Sequence, residues 1–169
     1  MISRTLLHMD NRYPTAKERS DLQSYLATTR ARRSALEEVR RSAVRVTDDL
    51  MADIRRMYPQ FGKIRPQGFD KGHRDMVMLT HMTANAMFLG ETDTTDDMFT
   101  HWYKTMLRGV HLTPQFLADT FAQWLASLER NLSPDTFALM RPFAEHMAAA
   151  LTDVPVPAKD EVGERKALV

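Results

Sequence analysis

The sequence predicts an all-α domain, and three observations support this prediction. Apolar residues recur every three or four positions in six segments, capping residues precede most of these segments, and no segment alternates like a half-buried strand. The length of 169 residues and the hydrophobic content of 43% fit one domain with a real core. We therefore expect a single domain over residues 1–152 and a flexible, polar C-terminal tail over residues 153–169.

Two capping boxes mark the starts of the first two predicted helices. In a capping box, a hydroxyl accepts a hydrogen bond from the backbone amide three residues later, and the acidic side chain there reaches back. The box Thr15–Glu18 predicts a helix over residues 17–29, and the box Ser34–Glu37 predicts a helix over residues 34–58. Two prolines and two glycines within residues 59–69 predict a loop.

The rest of the chain predicts four more helices. Helical spacing of apolar residues predicts a third helix over residues 70–89 and a fourth over residues 94–108. A capping hydroxyl followed by proline predicts the starts of a fifth helix over residues 114–131 and a sixth over residues 134–151. Pro142 should kink the sixth helix or split it in two.

Composition excludes several classes of protein. The chain contains no cysteine, which excludes disulfides, a zinc ribbon, a thiol nucleophile and a thioether-linked cofactor. No segment approaches 18 uninterrupted apolar residues and the first ten residues lack an apolar signal core, so we expect a cytoplasmic protein that does not bind membranes. No nucleophile, phosphate-loop or metalloprotease motif occurs, so we expect no enzymatic activity.

Charge is unequally distributed along the chain, although the net charge is only +1. Residues 1–75 carry 16 basic and 10 acidic residues, whereas residues 76–169 carry 7 and 12. Complementary patches of this kind favour association of copies, so we expect a homo-oligomer, most simply a dimer. Eight arginines lie between Arg30 and Arg56, but five interleaved acidic residues indicate an ordinary solvated face, and no nucleic-acid partner is expected.

The six histidines raise the question of a metal or a haem. Asp97 and His101 lie one helical turn apart and could face one ion, but two ligands do not complete a site, so no metal site is expected. A haem would need a proximal histidine on a helix. The candidates are His101 and His111, with His73 or His81 on the opposite side.

Several short motifs occur in a specific order along the chain. They are Asn11-Arg12-Tyr13-Pro14, Leu22-Gln23-Ser24-Tyr25-Leu26-Ala27-Thr28, Ile64-Arg65-Pro66-Gln67-Gly68, Arg74-Asp75-Met76 and Thr113-Pro114. This series resembles the phycobiliprotein family, most closely its allophycocyanin subunits, over about residues 10–151. The third motif is similar to the family's Arg-Pro-Gly-Gly loop, and the fourth to the Arg-Asp pair that opens the chromophore-bearing helix.

The resemblance implies a globin-like domain with an N-terminal helical extension that pairs subunits. In this family, a cysteine two residues before the Arg-Asp pair holds a linear tetrapyrrole, or bilin. The arginine pairs with a propionate, and the aspartate accepts hydrogen bonds from pyrrole nitrogens. Here Gly72 occupies the cysteine position, so covalent attachment is impossible. The resemblance makes Arg74, Asp75 and the neighbouring His73 the candidate residues for non-covalent cofactor binding.

Three hypotheses for the function follow from these observations. The first is a phycobiliprotein-like role in non-covalent bilin binding, as carrier or sensor, or in oligomeric assembly. The second is an apo scaffold whose pocket is filled by methionines, of which the chain has 12. The third is a haem protein, because Leu112-Thr113-Pro114 and the last two helices also resemble the truncated globins.

Overall fold

The structure, a computed structural model, describes residues 12–153, and every regular element in this range is helical, which confirms the all-α prediction. Residues 1–11, where the predicted N-terminal extension begins, and residues 154–169 of the predicted tail lie outside the described residues. None of the helices between residues 12 and 153 combines the length and apolar character needed to cross a bilayer. The elements are α1 (Ala16–Met57), α2 (Phe61–Ile64), α3 (Gly68–Leu89), α4 (Asp93–Thr95), a π-helical turn (Asp96–Thr100), α5 (His101–Val110), α6 (Pro114–Asn131) and α7 (Pro134–Thr152).

The first two predicted helices form one continuous helix, α1, of 42 residues. The first capping box is present, with the Glu18 amide donating to the Thr15 hydroxyl at 3.2 Å and the Thr15 amide donating to the Glu18 carboxylate at 2.7 Å. The prediction that a second helix begins at Ser34 is wrong. No glycine or proline lies between Ala16 and Ser34, so the helical hydrogen bonds continue and leave no free amide for Ser34 to cap.

Two further predictions need correction. Residues 59–69 contain the short helix α2, because Phe61 is buried and stacks on Phe116 with ring centroids 4.8 Å apart, so this segment is not wholly a loop. Pro142 does not split the last helix, which runs unbroken as α7. The proline removes only the hydrogen bond to the Ala138 carbonyl, and both residues are exposed, so water can satisfy that carbonyl.

The core lies where α1 packs against α3 and α6, with α7 closing the same core. Trp124 on α6 is fully buried, and its indole N–H donates to the Thr80 hydroxyl of α3 at 3.0 Å. The Ser127 hydroxyl, also buried, donates to the Val46 carbonyl of α1 at 2.8 Å. These two buried hydrogen bonds fix the register of α6 against both neighbours, because leaving either donor unpaired would cost about 1–3 kcal/mol.

Glu38 of α1 anchors the start of α7. Its carboxylate accepts hydrogen bonds from the Ser133 amide at 2.6 Å, the Ser133 hydroxyl at 2.8 Å and the Thr136 hydroxyl at 2.6 Å. Burial raises the pKa of Glu38, but the hydrogen bonds from Thr136 and Ser133 outweigh it, so the net pKa is lowered. A carboxylate from another helix thus caps α7 at its positive end.

We expect Glu38→Gln to destabilise the fold by about 1.5–3 kcal/mol at pH 7, the range for hydrogen bonds to a charged group. A lowered folded-state pKa gives stability above the unfolded pKa and loses it as pH falls through the folded pKa. The difference in free energy of unfolding between the parent and Glu38→Gln, measured by urea unfolding, should therefore be smaller at pH 3 than at pH 7. Glu37→Gln, at a half-exposed ion pair with Arg33, is the control and should change stability by less than about 0.5 kcal/mol. An equal Glu38→Gln deficit at both pH values would contradict this account.

Candidate functional site

A cavity lies between α1, α2, α3, α5 and α6. Its volume is about 150 Å³, and it opens to solvent through a wider concavity. Its wall is largely apolar and includes Met51, Ile54, Phe61, Met76, Leu117 and Phe121. The volume matches a cavity that holds one benzene-sized ring, at about 150 Å³.

A few polar groups interrupt this wall. Arg65, Lys71, Asp75 and Tyr103 all line it. Burial raises the pKa of Asp75, although the nearby positive charges of Arg74 and Lys71 oppose the shift. Burial also raises the pKa of Tyr103, and the charge of Asp75 adds to that shift. A carboxyl group and a phenol therefore share a poorly solvated region of the wall.

Of the three candidate cofactor-binding residues, only Asp75 lines the cavity. The Arg74 side chain is 77% exposed, and its Nε lies 3.8 Å from the Asp75 carboxylate. His73 places its Nε2 2.8 Å from the carboxylate of Asp48 on α1, so it bridges two helices outside the wall. Arg74 lies two residues after Gly72, which at about 100° per residue places it on the opposite side of α3 from the cavity.

Helical spacing identifies the face of α3 that lines the cavity. The lining positions recur every three or four residues as Gly68, Phe69, Lys71, Gly72, Asp75 and Met76. Counting three positions from Gly72 would therefore have placed Asp75 on this face, and counting four positions back from Asp75 would have added Lys71, whereas Arg74 falls outside this count. Sequence reasoning missed Lys71, Arg65 and Tyr103 as wall residues. The Arg-Pro motif did point to Arg65, but nothing in the sequence placed Tyr103 of α5 opposite α3.

Two glycines on this face differ in the space around them. A Cβ at Gly72 would lie 3.7 Å from the Met51 methyl carbon, an ordinary contact, so a side chain fits there. A Cβ at Gly68 would lie 2.7 Å from Cε1 of Phe61, which is closer than atoms can pack. Gly68 therefore allows Phe61 to pack between Phe69 and Phe116 at one end of the cavity.

The histidines of the described residues do not line the cavity. His101, a candidate haem ligand, lies exposed with its Nδ1 2.7 Å from the Asp96 carbonyl oxygen. Between residues 12 and 153, no group of three or more His, Cys, Asp or Glu side chains is arranged to hold a metal ion. Asp97 and His101 thus have no third ligand within that range.

A family model described as phycobilisome protein matches residues 7–151. The chain belongs to the phycobilisome protein family. The resemblance seen in the short motifs is thereby confirmed, and with it the globin-like all-α fold. No curated protein matches the chain. Phycobilisome proteins are light-harvesting and structural proteins that bind bilins, typically through a cysteine, and assemble into oligomers.

The cavity of this phycobilisome protein fits a bilin in its chemistry. An apolar wall suits the ring system, and the carboxylate of Asp75 can accept hydrogen bonds from pyrrole N–H groups. The cations Arg65 and Lys71 suit propionates. The enclosed 150 Å³ has room for one ring, so a longer ligand would occupy the open concavity as well. The chain has no cysteine, so a bilin here would be held without a covalent bond.

We expect Gly68→Ala to destabilise the protein by about 1–2 kcal/mol, because the new methyl group must displace the buried Phe61 ring. Gly109→Ala is the matched control, since a Cβ there meets nothing within 4 Å. That change should be neutral or stabilising by up to about 1 kcal/mol, as alanine favours helix more than glycine does. Urea unfolding measures both variants. A fully stable Gly68→Ala protein would show that Phe61 is not fixed.

Proposed function

We propose that this phycobilisome-family chain binds a linear tetrapyrrole non-covalently in the cavity between α1, α3 and α5. The observation that supports this most directly is the position of Asp75. Its carboxylate lies in an apolar wall, where burial raises its pKa, and it faces the same space as Gly72, the position equivalent to the family's attachment cysteine. A partly desolvated acceptor beside an apolar concavity suits a flat ligand that presents N–H donors.

The haem alternative has less support from the cavity. An iron porphyrin of the globin type needs an axial imidazole. None of the histidines within residues 12–153 lines this cavity. The bilin needs only acceptors, cations and an apolar surface, all of which the wall supplies.

Biliverdin binding can be tested by absorption and by thiol labelling, because the native chain contains no cysteine. We expect purified protein to co-elute with biliverdin and to shift its absorption to the red. In Gly72→Cys the introduced thiol is the only one in the chain. Bound biliverdin should therefore slow the reaction of this thiol with a maleimide at least about tenfold. The reagent reaches a covered thiol only in the fraction of molecules in which the site is open.

Gly109→Cys is the control, because position 109 lies outside the wall in open space. Its labelling rate should not depend on biliverdin. Equal labelling at position 72 with and without biliverdin, despite an absorption shift, would place the ligand elsewhere. Absence of any co-eluting pigment would favour the apo scaffold, and a Soret band with added haem would favour the haem protein.

We also propose that the domain, residues 1–152, forms a dimer through the first half of α1, and the family match over residues 7–151 supports this extent. None of residues 16–31 is buried, and the first buried residue of α1 is Arg32. Its guanidinium covers the Tyr25 ring at 3.8 Å and donates to the Phe88 carbonyl at 2.9 Å. Before that anchor, about four turns of helix contain no buried residue within the described part of the chain, although an isolated helix needs tertiary packing for stability.

Leu26 lies in this segment with 59% of its surface exposed. We expect Leu26→Glu to convert the dimer to monomer in sedimentation velocity, because a buried charge at an interface is costly. Val44→Glu is the matched control, as Val44 is 54% exposed on the same helix but beside the packed core. It should leave the dimer intact. A Leu26→Glu protein that remains dimeric would place the interface elsewhere.

A further inference from the structure

Arg65 links the cavity wall to the C-terminal end of α5. It follows α2, and its Nη2 donates to the carbonyl of Val110, the last residue of α5. The helix ends there because His111 adopts a left-handed conformation with φ of 56°. The Arg65 guanidinium thus satisfies a terminal carbonyl at the negative end of α5 and holds a fixed position in the wall.

The same guanidinium has an unsatisfied donor. Its Nε is buried and has no hydrogen-bond partner among the described residues. An unpaired buried N–H costs about 1–3 kcal/mol, and arginine cannot lose its proton to avoid that cost. The hydrogen bond to the Val110 carbonyl accounts for the position of Nη2, but it does not explain why Nε is buried without a partner.

The charges of the wall favour an anionic partner for this donor. Arg65 and Lys71 line the wall as cations against one carboxyl group, Asp75, and of these two cations Lys71 is exposed to solvent. Arg74, the arginine that the resemblance pairs with a propionate, is instead 77% exposed and lies beside Asp75. Solvent competes strongly for an exposed guanidinium, whereas a desolvated one binds a carboxylate more tightly.

We infer that Arg65, and not Arg74, binds a carboxylate of the ligand, so that the cavity selects ring systems carrying a free carboxylate. This inference rests on the proposed bilin-binding function and names the group that recognises the ligand's charge. Neutralising the ligand carboxylates should therefore weaken binding only while Arg65 is present.

The test compares biliverdin with its dimethyl ester, which has the same rings and no free carboxylate. We expect the parent protein to bind the acid at least about tenfold more tightly than the ester, as charge-assisted hydrogen bonds are the stronger ones. Arg65→Gln should bind both forms about equally, at the affinity of the ester, because the remaining cation of the wall, Lys71, is exposed and its charge is screened by solvent. Arg74→Gln, the matched control, should keep the full preference for the acid.

The outcomes separate this inference from the proposed function. A parent protein that binds neither form overturns both. A parent that binds both forms equally overturns only the role of Arg65, as does an Arg65→Gln protein that still prefers the acid. If Arg65→Gln fails to fold, Arg65→Lys keeps the positive charge and should show a reduced preference for the acid. An unreduced preference in that variant also overturns the assignment.

Discussion

The packing of α1 against α3 and α6 is the constraint on which the rest of the structure depends. Trp124 fills the centre of this contact, and its hydrogen bond to Thr80 fixes the relative height of two helices. With α3 held in place, its lining face is directed toward the ends of α5 and α6, and the cavity forms between them. The apolar part of the site is therefore a consequence of helix register.

Asp75 and Arg65 show that this cavity is not optimised for stability alone. A folded-state pKa above the ordinary value means that ionising Asp75 at neutral pH costs the fold stability, a cost relieved as pH falls through the raised pKa. The buried Nε of Arg65 has a similar cost. Polar groups placed unfavourably in an otherwise apolar wall are typical of binding sites, where a ligand supplies the missing partners.

Local signals in the sequence predicted most helix boundaries, because caps, prolines and apolar spacing act over a few residues. The predicted helix start at Ser34 was wrong, because a capping pattern has no effect inside a helix that already continues through it. The family resemblance led to Asp75 but also to Arg74, as neighbours in sequence point in different directions on a helix. Arg65 lies in the Arg-Pro motif that the sequence offered, whereas Tyr103 joins the site through tertiary packing, which no local pattern encodes.

Loss of the attachment cysteine changes what the cavity must supply. A covalent ligand stays bound whatever its affinity, whereas a reversible ligand with micromolar affinity needs about 8 kcal/mol of binding free energy. Burying one ring in the enclosed space contributes about 2–3 kcal/mol, the value for a large apolar side chain. Contacts in the open concavity add less, because they remain partly hydrated. Much of the remainder must come from desolvated charged groups, and Arg65 and Asp75 are the ones that the wall positions for it.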